Sequence, residues 1–500
     1  MMPGMAQQRT YRLSTALAIL GGLLLRLWFV EHRPEFAGDA MIYGTIARNL
    51  VVHGVYGFNQ QVSAAGAVTI LPTFIRLPGY PLLLALCFRL FGVENYMAVL
   101  YVQIAADLLT CVLAMKVAGR LFGRRAAMVV LWLAALCPFT ANYVATPLTE
   151  TFVLTAATLA LYALLRWQEA GAGYNRWLWA VAAALSASLL LRPEQGLLAA
   201  AVLPAVFWMS RGACSAGRGG ILQSAGPACA AGLCVAVALL PWTLRNWRTF
   251  HTFQPLAPRS AADPGEPTPA GFNRWYRTWA IDFASTDQVY WNVNGAPIAP
   301  DTLPDRAFDL GCAADRHTPR EKLPLYGPTV ALLDSYNQTT TDSAALDAQF
   351  AALARRRIHA APLCYAVALP LARLVNMLVR PRTELLPIPD EWWHAPTRPS
   401  VRAFAVCYAA LDTVYVVMGL AGLVCALRLY RQEGPEKTVL LSIAATLALR
   451  AALLLTLDNS EPRYTLEFFP LLTVCAGAMA VRSFRQTGSE FGESKLLPRR

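Results

Sequence analysis

Apolar runs about twenty residues long, separated by short basic stretches, set the organisation of this chain. Ten of them reach the roughly 20 residues a helix needs to cross a hydrocarbon core. They lie near 13–31, 96–118, 124–143, 147–167, 174–191, 194–210, 227–247, 402–427, 437–457 and 464–482. The first follows Arg9 and Arg12 as a signal peptide would, but Arg26 interrupts it and no small-residue cleavage site follows, so it reads as a retained anchor. Residues 79–92 are too short to span and carry Arg89, and 358–380 is broken by Pro362, Pro370 and Arg373. Both read as helices lying along the membrane surface. Two long polar connections remain, 32–95 and 248–401, and the second is too long to be structureless, which predicts a small folded cap of mixed structure. The expected fold is therefore an all-α polytopic membrane protein with about ten or more transmembrane helices. Its expected parts are an N-terminal transmembrane module, 1–247, with interfacial helices at 32–95; a large outer cap with an interfacial helix, 248–401; and C-terminal spans with a tail, 402–500.

Composition agrees: 56% of residues are hydrophobic and only 15% charged, against about 25% charged in soluble domains. The net charge of +12 reads first as topology. With the N-terminus inside, the short inner loops gather Arg9, Arg12, Lys116, Arg120, Arg124, Arg125, Arg166, Arg176, Arg211, Arg218, Arg428, Arg431 and Lys437, and the tail adds Arg482, Arg485, Lys495, Arg499 and Arg500. Short outer loops hold two, Arg192 and Arg463. Letting 358–380 span would move the last basic loop and the tail outside, against the positive-inside rule. Partners are then membrane lipids, and nothing calls for nucleic acid. The eleven cysteines form no CxxC pair and read as small buried hydrophobes, with only Cys312 deep in a polar loop, so no disulfide framework or zinc site is expected. The six histidines form no HExxH pair. Trp275, Tyr276, Trp279, Trp291, Trp392 and Trp393 suit an aromatic membrane belt, or sugar-stacking platforms.

Ionisable residues that apolar helices could have done without are informative, because each costs a few kcal/mol at bilayer depth (about 3 on insertion scales) unless paired or hydrated. They gather at the outer edge: Asp39, Arg76, Glu150, Arg192 with Glu194, and Asp458, Glu461, Arg463. Asp39 begins GDAMIYGTIARNL, where Ile42, Ile46 and Leu50 share a helical face on the membrane surface. It serves either as the N-cap of that helix or as a base for a hydroxyl nucleophile. Glu150 lies in TPLTETF, with Thr146 the expected N-cap and Pro147 the first helical residue; helix-dipole stabilisation alone accounts for it, and a second catalytic acid is the other reading. Arg76 in RLPGYP, Arg192 in LLLRPEQGLL and Arg463 in DNSEPRY either snorkel or meet a phosphate. Gln103 and Asp107, four apart in the second span, suit interhelical hydrogen bonds. Arg26 either snorkels outward or pairs with Asp39.

GDAxxY after the first span, RLPGYP leading to a short helix ending RLFG, then PLTE, LRPEQGLL, PWTLRNW and EPRY together resemble the GT-C glycosyltransferase superfamily. The nearest branch is that of polyprenyl-phosphate-sugar-dependent enzymes related to protein O-mannosyltransferases and lipid A aminoarabinose transferase. The resemblance implies a GT-C fold with Asp39 and Glu150 as catalytic carboxylates and Arg76, Tyr80, Arg192, Glu461, Arg463 and Tyr464 as substrate-binding residues. It further implies an undecaprenyl- or dolichyl-type phosphate sugar as donor, a lipid, protein or glycan hydroxyl as acceptor, and a bacterial inner-membrane location with the site facing the periplasm. Where many relatives have two consecutive acids this chain has Asp39-Ala40, and Arg76-Leu77-Pro78 replaces an acidic-lysine-proline triplet. No metal ligand is therefore named, and a divalent metal is the one cofactor left open. A polyprenyl phosphate leaves as a stabilised anion, so one base plus cations suffice where glycoside hydrolysis takes two carboxylates. Inverting transfer, with Asp39 as base, is the reaction expected. The alternatives are a lipid-linked glycan flippase, which would place its charges near midplane within repeated halves, and a polysaccharide polymerase or ligase.

Overall fold

The computed structural model describes residues 3–62, 67–214, 221–259, 261–266, 268–292, 297–312, 317–338, 344–393, 397–430 and 434–488. Arg218, Arg431, Lys495, Arg499 and Arg500 of the topology count lie outside them. The chain forms two compact units, one of Met1–Asp263, Val414–Leu447 and Leu466–Arg500, the other of Pro264–Thr413 and Ala448–Thr465.

The first unit is built of α1 (Pro3–His32), α2 (Asp39–His53), α3 (Gly79–Phe91), α4 (Tyr96–Phe122), α5 (Arg124–Ala135), α6 (Pro138–Tyr143), α7 (Glu150–Glu169), α8 (Arg176–Leu191), α9 (Gly196–Cys214) and α10 (Ile221–Phe250). Every apolar run in it is helical, and α1, α4 and α10 are long and apolar enough to cross a membrane outright. Leu13, Leu17, Leu20 and Leu24 of α1 are exposed, as a lipid-facing stripe requires.

The expected span 124–143 is two helices. Pro138 has no N–H and pushes its predecessor out of the helical region, and Cys137 is extended at φ −66°, ψ 109°. Arg26 meets the carbonyls freed there. Fully buried, it pairs with Asp107 through Nε at 2.7 Å and donates to the carbonyl of Ala135 at 2.7 Å. Neither snorkelling nor pairing with Asp39 is observed. Asp107 and Gln103 do bridge elements as expected: Gln103 accepts from the Tyr80 hydroxyl at 2.9 Å and donates to the carbonyls of Val144 and Thr146.

Helix α7 starts later than expected. Thr149, not Thr146, occupies its N-cap position, because the Thr146 carbonyl is turned toward Gln103 and the Leu148 amide. An unforeseen antiparallel hairpin, β1 (Gly57–Val62) with β2 (Ala67–Pro72), lies in the first outer loop. Arg245 of PWTLRNW holds its base, donating to the carbonyls of Thr73 (2.6 Å) and Tyr56 (2.8 Å).

The second unit contains α11 (Ala270–Arg277), α12 (Phe283–Ser285), α13 (Tyr326–Gln338), α14 (Ala344–Ala360) and α15 (Leu369–Leu378). Its core gathers Phe272, Trp275, Tyr276, Trp279, Phe308 and Phe350. Trp275, Tyr276 and Trp279 are fully buried, so they form neither a membrane belt nor a stacking platform; Trp291 and Trp393 remain exposed. The segment around 358–380 is not one surface helix, since Ala344–Ala360 and Cys364–Leu378 meet at a bend of 102°. The cysteine expectation is also corrected: Cys312 and Cys364 form a disulfide. Distance along the chain hid this pair, because neither cysteine has a near neighbour to suggest one. Helices α16 (Pro399–Leu429) and α17 (Pro435–Leu454) are long enough to span and are shared between the units, and α18 (Phe468–Gly488) closes the first.

Candidate functional site

In the first unit the four charged residues expected at the site form two ion pairs. Asp39 opens α2 as its first residue, with Gly38 at the N-cap position; its carboxylate accepts from Arg76 at 2.8 Å. Gly38 before it sits at φ 57°, a region glycine enters without steric cost, and this aims the first turn of α2 at Arg76. Arg76 itself is set by Tyr56, whose hydroxyl donates to the carbonyls of Arg76 (2.9 Å) and Leu77 (3.2 Å).

The second pair joins α7 to the end of α8. Glu150 is 2% exposed and accepts from Arg192 at 2.7 Å, while the Thr149 hydroxyl donates to its other oxygen at 3.2 Å. Arg192 also meets Glu194 at 2.6 Å and Glu467 at 4.0 Å. Three carboxylates thus face one guanidinium. The amide of Gln195 donates to Glu467 at 2.5 Å.

Aromatic rings tie the two pairs together. Tyr43 packs edge-on to Tyr80 at 5.1 Å, Tyr80 lies 6.1 Å from Phe152 of α7, and the Arg76 guanidinium stands 5.7 Å over the Tyr43 ring. Gly79 presses α3 onto the end of α8, where an added Cβ would fall 2.6 Å from the Leu190 backbone. The Tyr43 phenol feels the charges of Arg76, Asp39, Arg192 and Glu150, and burial raises its pKa to about 12. Tyr80 is fully buried, its hydroxyl engaged by Gln103.

The remaining expected residues lie in the second unit. Glu461 and Arg463 pair with each other, and Arg463 stands 5.7 Å over the Tyr464 ring. Asp458 accepts from Arg277 at 3.4 Å. Arg382 fixes this segment, bonding Asp412 (3.0 Å), the Pro462 carbonyl (2.8 Å) and the Thr465 hydroxyl (2.5 Å). Among the described residues no group of three or more His, Cys, Asp or Glu side chains is placed to hold a metal ion.

Sequence reasoning missed Glu467 and gave no role to Tyr43, the tyrosine of GDAxxY. Glu467 opens an apolar run as Glu150 does, so the same test of costly charges would have found it. Tyr43 is neutral and gives no such signal.

Many apolar helices, several of them long and apolar enough to cross a membrane, together with a charged, aromatic-lined cluster, describe a polytopic helical membrane protein. Residues 76–243, about a third of the chain, match the family described as dolichyl-phosphate-mannose-protein mannosyltransferase, which bears out the resemblance carried by the motifs. Arg76, Tyr80, Glu150 and Arg192 fall inside the match, whereas Asp39, Glu461, Arg463 and Tyr464 fall outside it. No curated protein sequence matches the chain.

Among solved structures, it is similar to the archaeal oligosaccharyltransferase AglB from Archaeoglobus fulgidus, in complex with an inhibitory peptide and a dolichol-phosphate. Identity is 12% and the TM-score 0.49, over 98% of this chain and 53% of that one. ArnT from Cupriavidus metallidurans bound to undecaprenyl phosphate is similar at 15% identity and a TM-score of 0.38, over 95% of this chain and 79% of that one. The chain spans about half the length of the archaeal enzyme.

Proposed function

We propose that the protein moves a sugar from a polyprenyl-phosphate donor to an acceptor hydroxyl at the outer face of the membrane, with inversion and with Asp39 as base. The observation that carries this reading is the Asp39–Arg76 pair and the Glu150–Arg192 pair, connected through the packed rings of Tyr43, Tyr80 and Phe152. In the step proposed, the acceptor hydroxyl gives its proton to Asp39 and its oxygen bonds to the anomeric carbon. The bond from that carbon to the phosphate oxygen breaks, and the electron pair leaves on the lipid. A singly charged diester thereby becomes a doubly charged monoester.

Arg76 is suited to receive the added charge, because protonation of Asp39 removes the negative partner it holds at rest. Arg192 is less suited, since three carboxylates already match its charge; with Glu150 it orients the acceptor. Arg463 lies in the second unit paired to Glu461, and no step is routed through it. Tyr80 supports the Tyr43 ring. The basic inner loops orient the site toward the outer face, and the inner membrane of a bacterium is the location that the resemblance to polyprenyl-phosphate-sugar-dependent enzymes implies.

Asp39→Asn in purified protein supplied with an undecaprenyl-phosphate sugar and a competent acceptor is expected to lower turnover by about 100-fold or more, in the range of lost general-base catalysis. Turnover near wild type removes Asp39 as base. Movement of the lipid across proteoliposomes without sugar transfer would instead favour a flippase, and products longer than one sugar a polymerase.

A further inference from the structure

Resting on the reading of this site as one that handles a lipid phosphate, we propose that Tyr43 contacts the substrate: its phenolic O–H donates a hydrogen bond to a non-bridging phosphate oxygen of the lipid donor. Tyr43 follows Asp39 by four residues on α2, so the two side chains lie on one helical face. Packing on Tyr80 and the guanidinium of Arg76 fix its ring. The residue is 9% exposed, its hydroxyl oxygen is not among the buried unpartnered atoms, and among the described residues no hydrogen bond engages it. The neighbouring phenols differ, for Tyr80 donates to Gln103 and Tyr56 to the Arg76 carbonyl. The ring is held by packing while the hydroxyl oxygen is not sealed off among the buried atoms, so in this charged cluster it can present its O–H to a ligand.

The chemistry of the cluster selects the phosphate among the groups of the donor. Burial keeps the Tyr43 phenol protonated, its pKa near 12, so at physiological pH it offers one hydrogen and no charge. The non-bridging phosphate oxygens only accept hydrogen bonds, and they gain charge as the lipid departs, so a fixed neutral donor binds them more strongly in the transition state than in the ground state. Arg76 over the ring supplies a cation at the same place, and a phosphate there would meet both.

The test compares wild type with Tyr43→Phe, which keeps the ring and its packing, in detergent, by binding of undecaprenyl phosphate and of undecaprenol. Tyr43→Phe is expected to bind undecaprenyl phosphate about 10- to 100-fold more weakly, as for a lost hydrogen bond to a charged group, with undecaprenol binding and thermal unfolding unchanged. In sugar transfer, kcat should fall by more than KM rises. Phosphate binding within about twofold of wild type overturns the proposal. So does a wild-type protein that binds the phosphate no better than the alcohol, or one that takes inorganic phosphate with no preference for the lipid. If wild type binds undecaprenyl phosphate through Tyr43 but transfers no sugar, the transferase reading fails and the assignment of Tyr43 stands.

Discussion

Arg26 and Asp107 form a buried ion pair away from the site, in which the guanidinium also serves backbone carbonyls left open at the α5–α6 break. Removing one partner of such a pair strands a buried charge and costs about 3–5 kcal/mol, whereas replacing both with apolar groups is often nearly neutral. Arg26→Met and Asp107→Leu should each lower the unfolding temperature in detergent, and the double variant should recover most of the loss; a double variant as unstable as the sum of the two would contradict this. Gly79→Ala tests the approach of α3 to α8. Its Cβ would meet backbone rather than a flexible side chain, so α3 must shift, and activity should fall although Ala is the better helix former. The four charged residues of the first-unit cluster were legible in the sequence because charge at the edge of an apolar run is costly and needs a reason. Tyr43 stood in the sequence as the last residue of GDAxxY, but no role could be read for it, since a neutral aromatic on an amphipathic helix is ordinary until its packing against Arg76 and Tyr80 is seen.

At the scale of elements, the apolar runs became helical, the run 124–143 as two helices, because hydrophobic length is a local property. The break at Pro138 followed a local rule that the run's overall length had masked. The β1–β2 hairpin and the Cys312–Cys364 bond depend on partners distant in sequence, and one chain's periodicity does not announce them. The disulfide closes a separation of 52 residues, so replacing both cysteines with Ser should destabilise the protein by about 2–4 kcal/mol, read by denaturant unfolding with and without reductant.

A second device in the same unit is the carboxyl pair Asp390 and Asp287. Burial, and then the Asp287 charge and hydrogen bond, raise Asp390 from its ordinary 3.8 to about 7. Between those values the folded chain holds a proton that the unfolded chain releases, so stability is greatest below the lower value and is lost as pH rises through the upper one. Unfolding measured from pH 4 to 8 should show that decline, and Asp390→Asn should flatten it.

At the scale of the whole molecule, two independent features bear on orientation. The proposed topology places 248–401 outside by the positive-inside rule, and a disulfide in that stretch suits an oxidising compartment. After reduction, a membrane-impermeant thiol reagent applied to intact spheroplasts is expected to label Cys312; labelling only after lysis would reverse the proposed topology. The site itself rests on a loop rather than on a span, since Arg76 belongs to the connection between β2 and α3. What steadies it is a relay of bonds: Arg245 on α10 grips the Tyr56 and Thr73 carbonyls, and the Tyr56 hydroxyl grips the Arg76 carbonyl. In terms of chain entropy, Asp39 and Arg76 are the ends of a 37-residue loop. Cinching the hairpin at its base shortens the free part, yet halving a loop is worth only about 0.6 kcal/mol. The relay therefore contributes direction more than stability: the ordering entropy of the Arg76 backbone is lost during folding, and little of it is left to be lost when a substrate arrives.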